Sequence, residues 1–188
     1  MRARLVGLAV LVGVTTAARA DALEAGADVA PAAGASTWRG DRVAGGQLRL
    51  ALRFAQVVAV DFVGWEMLAT VDDRANTGLT LGVTGFLPLA RVRPFARVFA
   101  LHQHEEGLVS VRHQPLGTVF GIGAGIRHRA GAGGTLGVEV PMGGARGRSW
   151  HLLGGLTTLW FPDAAIGPSA YVFGFVGVGG NLELKVAE

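Results

Sequence analysis

From Gln47 onward, apolar residues recur at every second position, in runs of eight to sixteen residues broken by Gly, Pro, Asp or Asn. That period is the signature of strands with one greasy and one polar face. Ser149–Phe161 shows it most fully: Trp150, Leu152, Gly154, Leu156, Thr158 and Trp160 fall on one face, with the two tryptophans ten residues apart. Ten residues rise roughly 33 Å, and a tilt of about 40° reduces this to about 25 Å, the height of the apolar band between the aromatic girdles of a membrane barrel.

Seven further stretches read the same way. Gln47–Phe54 sets Leu48, Leu50, Leu52 and Phe54 against Arg49 and Arg53. Val57–Leu68 sets Val58, Val60 and Phe62 against Asp61. Thr77–Leu87 alternates Leu79, Leu81 and Val83 with Gly78, Thr80, Gly82 and Thr84. In Pro94–His104, placing Arg97 on the enclosed face takes Phe95 and Phe99 with it. Gly117–Arg129, Thr135–Met142 and Tyr171–Val186 complete the set. Of the charges inside these strands only Glu66 shares the apolar face. It lies about ten residues above the turn at Ala55–Gln56, near the 9–11-residue limit of a spanning strand, so it is expected to face outward at headgroup level. An arginine facing lipid near the midplane would cost roughly 2–4 kcal/mol, so the charged faces are assigned to the interior.

The predicted fold is therefore all-β: a single closed antiparallel up-and-down transmembrane β-barrel of eight strands, which leaves no edge unpaired in lipid. Turns are expected at Asp72–Asn76, Pro88–Ala90, Ala130–Gly133, Gly143–Arg148 and Pro162–Pro168, with one long connection at Glu105–Leu116. Starting the barrel at Gln47 puts that long connection on the periplasmic side, against the usual length bias. A ten-strand alternative takes Ser36–Val43 as a strand and splits the last stretch at Gly179–Gly180.

Composition narrows the class. Half of the 188 residues are hydrophobic, 16% are charged, and glycine reaches 30. This is too apolar for a disordered chain and too glycine-rich for a helical one. After the first 20 residues no uncharged apolar run is long enough for a membrane helix. Residues 1–20 read as a secretory signal, with Arg2 and Arg4, an apolar core from Leu5 to Val14, and Ala18-Arg19-Ala20 before the cleavage point. Residues 21–45, rich in Ala, Gly, Asp and Pro at their start, are expected to be a periplasmic tail or linker, and residues 46–188 the barrel. The formal charge is +3, but setting aside Arg2, Arg4 and Arg19 reduces the 17 basic residues to 14, equal to the 14 acidic ones. A neutral mature chain gives no reason to expect nucleic acid. Cysteine is absent, so there are no disulfides and no thiol chemistry.

The pattern resembles the small outer-membrane β-barrels of Gram-negative bacteria, the OmpA/OmpX-like group. The likeness rests on Gly46–Leu68 (strand, tight turn, strand), on Arg93-Pro94-Phe95-Ala96-Arg97, and on Gly180-Asn181-Leu182-Glu183-Leu184, which is similar to their terminal insertion signal. It implies export to the outer membrane, contact with outer-membrane lipid, insertion by the barrel-assembly machinery, and a monomer with a structural or surface-interaction role.

The expected lumen set is Arg49, Arg53, Asp61, Arg97, Arg127, Arg129, Glu139, Glu183 and Lys185, six basic to three acidic. Its first reading is a self-neutralising network that plugs a narrow barrel; its second is a weakly anion-preferring pore. His102 and His104 share a strand face with Glu105 and Glu106 just beyond, a spacing compatible with a divalent metal, and His113 follows in the loop. Sequence fixes no third ligand, so no metal site is assigned. His128, between Arg127 and Arg129, is expected to cap a girdle. Ser149 and His151 share the inward face with no carboxylate spaced to orient the imidazole. No catalytic or cofactor-binding residue is assigned. The alternatives are an outer-membrane lipid-modifying enzyme and a soluble periplasmic ligand binder of lipocalin type.

Overall fold

The computed structural model describes residues 23–89, 91–113, 115–123, 125–145, 147–163 and 167–184. Eight antiparallel strands close into a barrel in chain order. They are β1 (Leu23–Ser36), β2 (Arg42–Phe54), β3 (Val58–Ala69), β4 (Arg74–Phe86), β5 (Arg93–Gly107), β6 (Arg127–Gly143), β7 (Arg148–Trp160) and β8 (Ala170–Leu184). Every strand pairs with its neighbours in sequence, and β1 also pairs with β8 to close the ring.

The total matches the expected eight, but the strands are not the expected eight. Residues 23–36, read from sequence as part of a linker, form β1. Its residues are too small to show hydrophobic contrast, yet Asp28, Ala30 and Ala32 face in while Val29 faces out. The partners supply what propensity does not: β2 and β8 satisfy the backbone on both sides. Pairing with β8 skips Ala30 and Pro31 without changing register, which accommodates a residue that lacks an N–H.

The second correction removes a strand. Gly117–Arg129 is not extended throughout: after β5 come two short helices, α1 (Leu108–His113) and α2 (Pro115–Phe120). Gly121 and Gly125 then adopt φ of 65° and 86°, a region that turns the chain and is open to glycine at little cost. The expected turn at Ala130–Gly133 lies inside β6, which runs unbroken into the Thr135–Met142 stretch. Glycine serves packing there: a Cβ on Gly133 would sit 2.4 Å from Cζ of Phe99, so its absence makes room for an inward ring. β4 likewise begins at Arg74, earlier than expected, after a 3₁₀ turn at Val71–Asp73.

These shifts set the orientation. Leu23 and Leu184 are register partners, so both chain ends of the barrel lie at one rim. The reversals at 55–57, 87–92 and 144–147 share that rim, and the connections at 37–41, 70–73, 108–126 and 161–169 occupy the other. Long connections at one end and short turns at the terminal end is the usual bias of such barrels. Adding β1 removes the inversion that a start at Gln47 required, with no need for ten strands. The signal segment 1–20 and Lys185 lie outside the described residues.

Sidedness follows the alternation. Leu136 is 69% exposed, and Val138, Val140, Leu48, Leu50, Leu52, Leu81, Val83, Val176 and Val178 also face outward. Trp150 and Trp160 point outward at opposite ends of β7, 62% and 59% exposed. Arg49, Arg53, Asp61, Arg97, Arg129 and Glu139 are buried in the lumen. Phe95 and Phe99 are buried beside Arg97, whose guanidinium carbon lies 4.3 Å from the Phe99 ring centre. Glu66 faces outward, where it accepts a hydrogen bond from Thr77.

Candidate functional site

Side chains fill the interior in tiers set by strand register. Near the terminal rim, Arg49 donates from Nη1 to Asp28 Oδ2 (3.2 Å) and from Nη2 to Asp61 Oδ2 (3.1 Å). Asp61 also receives Arg97 Nε at 2.5 Å and the Thr84 hydroxyl. Arg53 Nη2 meets Glu139 Oε1 at 2.7 Å, and Arg49 Nη1 approaches the same oxygen at 3.6 Å. Above this tier, Val63, Trp65, Phe99, Leu153, Phe173 and Phe175 form an apolar layer around a cavity of about 30 Å³, room for no more than a few waters.

A second polar tier lies at the far rim. Glu105 is fully buried and accepts from Gln103 Nε2 (2.7 Å), Arg129 Nη1 (2.9 Å) and the Tyr171 hydroxyl (3.0 Å), with Arg127 Nη2 at 3.2 Å. Arg129 also donates to the carbonyls of Asp163 and Pro168, tying the last connection to the lumen. Arg74 meets Asp41 at 2.7 Å and lies over the Trp38 ring.

These contacts alter the expected charge count. Asp28 and Glu24, assigned to a linker from sequence, and Asp41, which lies between β1 and β2, all supply counter-charge. So does Glu105, expected near a metal. Glu183 is exposed at the terminal rim. The basic excess that suggested an anion-preferring pore came from leaving these carboxylates out.

His151 also differs from expectation. Its Nε2 lies 2.8 Å from Asp28 Oδ1, so a carboxylate does orient it. Ser149 is not brought to it: the hydroxyl accepts from Asn181 Nδ2 at 3.4 Å, and among the described residues no Ser149–His151 hydrogen bond forms. A nucleophile, base and orienter are therefore not assembled there.

On the outside, the structure groups residues that the sequence left apart. His102 and His104 share the outward face of β5, and β6 register places His128 directly opposite His104. His102 Nε2 and His128 Nδ1 are 3.3 Å apart. The ring centres lie 4.7 Å (His102–His104), 4.8 Å (His104–His128) and 5.4 Å (His102–His128) apart. His128 thus joins the other two imidazoles, where the sequence suggested a girdle cap. His113, the sequence's candidate third partner, ends α1 and is not part of the group. The trio was missed because the match of β5 with β6 depends on how connection 108–126 closes, which local pattern does not reveal.

No protein-family model matches the chain, and no curated protein sequence matches it. Solved structures do. Neisserial surface protein A aligns with a TM-score of 0.55 and 14% identity over 86% of this chain and 97% of that one. The N-terminal β-barrel domain of Pseudomonas aeruginosa OprF gives 0.52 and 12% over 84% and 97%. Ail, the attachment invasion locus protein of Yersinia pestis, gives 0.50 and 10% over 86% and 99%. The chain therefore has the fold of the small eight-stranded outer-membrane β-barrels, the OmpA/OmpX-like group that its sequence resembles.

Proposed function

We propose that the chain is an outer-membrane β-barrel with a structural or surface-interaction role, that it does not conduct, and that it carries no catalysis. The observation that supports this best is the outward apolar face of the ring, with Arg49, Arg53, Asp61, Arg97 and Glu139 enclosed and Glu66 outward toward the long-connection rim. In water that surface would drive aggregation; in a bilayer it is the face that lipid requires. The same sidedness counts against a soluble lipocalin-type binder, which needs the apolar face inside.

Non-conduction is supported by the ion-paired tiers and the small cavity between them. Opening a path would mean separating buried pairs such as Arg53–Glu139 and Arg97–Asp61, each costly to break. A surface role is supported by connection 108–126, which presents Val109, Leu116, Phe120 and Ile122 to solvent at the long-connection rim. The partners are outer-membrane lipid and, during insertion, the barrel-assembly machinery; the mature protein works as a monomer. Export proceeds through the signal at residues 1–20.

Cell fractionation tests the reading. The protein should be recovered in the outer-membrane pellet, resist carbonate extraction, and begin at Asp21. Purified barrel in a planar bilayer should show no unitary conductance. Recovery in a detergent-free periplasmic extract would refute the membrane assignment, and stable open channels would refute the plugged lumen.

A further inference from the structure

We propose that His102, His104 and His128 form a divalent transition-metal site of the zinc class on the outer surface of the barrel, at the rim that carries the long connections. The argument begins with the scaffold. Two histidines at i and i+2 on one strand, and a third directly opposite the second across an antiparallel pair, are held by paired strand backbone, with Cβ atoms of such cross-strand partners about 5 Å apart. Sites on strands keep their geometry better than sites on loops.

The nitrogens are close enough for one ion. One ligand atom from each of the three rings lies within 4.8 Å of the others. Zinc–nitrogen bonds of about 2.0–2.1 Å in a tetrahedron require nitrogens about 3.3 Å apart. The His102–His128 pair is already at 3.3 Å, and a ring nitrogen of His104 lies within 4.8 Å of the other two ligand atoms. Three imidazoles leave one position open for water or an external ligand, and a set of nitrogens suits zinc, copper and nickel in preference to magnesium or calcium.

The surroundings fit an ion from water. Ala100, Ala132 and Trp160 lie in one row across β5, β6 and β7, and Trp160 marks the upper aromatic girdle. His102 and its partner Ala130 are two residues beyond that row, about 7 Å along the strand toward the long-connection rim. His128 is the second residue of β6 and His104 lies three residues before the end of β5, so the trio sits close to the long-connection rim, where an aqueous cation has access. A row of register partners, Glu66–Thr77–His104–His128, crosses four strands on this outer face. It places the Glu66 carboxylate on the same outer face two strands from His104, with Glu106 two residues past His104, and negative charge there favours a cation.

The loop is shaped to this feature. Gly121 holds φ at 65°, and a Cβ at that position would lie 2.3 Å from Cε1 of His104. Its backbone thus closes over the His104 ring, leaving it 5% exposed while His102 and His128 stay open.

The test uses the mature barrel refolded in detergent micelles, with heat-modifiable gel mobility as the check of folding. Titration calorimetry with zinc chloride should give one ion per barrel, and magnesium chloride should give no binding. His128→Ala and His102→Ala should each weaken zinc at least tenfold, whereas His113→Ala and His151→Ala should leave it unchanged. Cobalt loaded in place of zinc should show the visible absorption of a tetrahedral nitrogen site in the wild type and lose it in His128→Ala. Should His128→Ala fail to fold, His128→Gln serves in its place. Wild-type protein that binds zinc no better than magnesium, a folded His128 variant with wild-type affinity, or an equal loss in His113→Ala would overturn the proposal.

Discussion

Among the described residues, two groups of three ligand-type side chains lie one on each side of the barrel wall, and their surroundings differ. Asp28, Glu139 and His151 come together in the lumen; His102, His104 and His128 come together outside. Inside, the carboxylates are already matched: Arg49 reaches both Asp28 and Glu139, Arg53 takes Glu139, and His151 takes Asp28. Outside, imidazole faces imidazole. Proximity alone thus does not define a metal site. The inner group has guanidinium cations where an ion would sit, so it stabilises the fold. The outer group has a rigid frame, access to water and carboxylates nearby.

Breaking the ion-pair network that Arg49 extends from the inner group to Asp61 should give the largest effect. Asp61 receives Arg49, Arg97 and Thr84; Arg49 keeps Asp28 and Glu139 in Asp61→Ala, but the buried Arg97 guanidinium loses its carboxylate. Loss of one partner of a buried pair costs about 3–5 kcal/mol, and urea unfolding of the barrel in lipid vesicles should show a destabilisation of that order. Next comes the wall itself: Leu136→Arg should cost about 2–4 kcal/mol, whereas His102→Arg, beyond the girdle row, should cost only about 0–1 kcal/mol. The same unfolding experiment reads both, and equal costs would show that the two positions do not differ in depth.

His151→Ala sharpens the comparison at a smaller scale. It removes one partner of Asp28 but leaves Arg49 in place, so the loss should be about 1–3 kcal/mol, the range for one buried hydrogen-bonding group. Zinc affinity should not change. A variant that lost zinc binding here would move the metal site into the lumen.

What could be read from the sequence was decided by cost. Placing arginine in lipid is expensive enough that Arg49, Arg53, Arg97 and Arg129 fixed the facing of their strands, and the outward tryptophans of β7 agree with it. Where cost or contrast is low, pattern is silent. The run Ala30-Pro31-Ala32-Ala33-Gly34 resembles a linker because small residues barely distinguish inside from outside, yet it closes the ring. Its Asp28, opposite the outward Val29, was the available signal, together with the rule that long connections gather at one rim. Glycine misled in the other direction, since in β6 it houses the Phe99 ring and at Gly121 and Gly125 it turns the chain. The carboxylates that neutralise the lumen and the third histidine of the outer trio depend on register between strands distant in sequence.

The central claim is which face of each strand meets lipid, and the absence of cysteine from the chain makes it directly measurable. Single-cysteine variants at Leu136, Val138 and Val140, and at the buried pair Thr135 and Thr157, can each carry a nitroxide in vesicles. Oxygen dissolved in the acyl chains should relax the labels at 136, 138 and 140 strongly and those at 135 and 157 weakly. The reverse order would place the apolar residues inside and contradict the account.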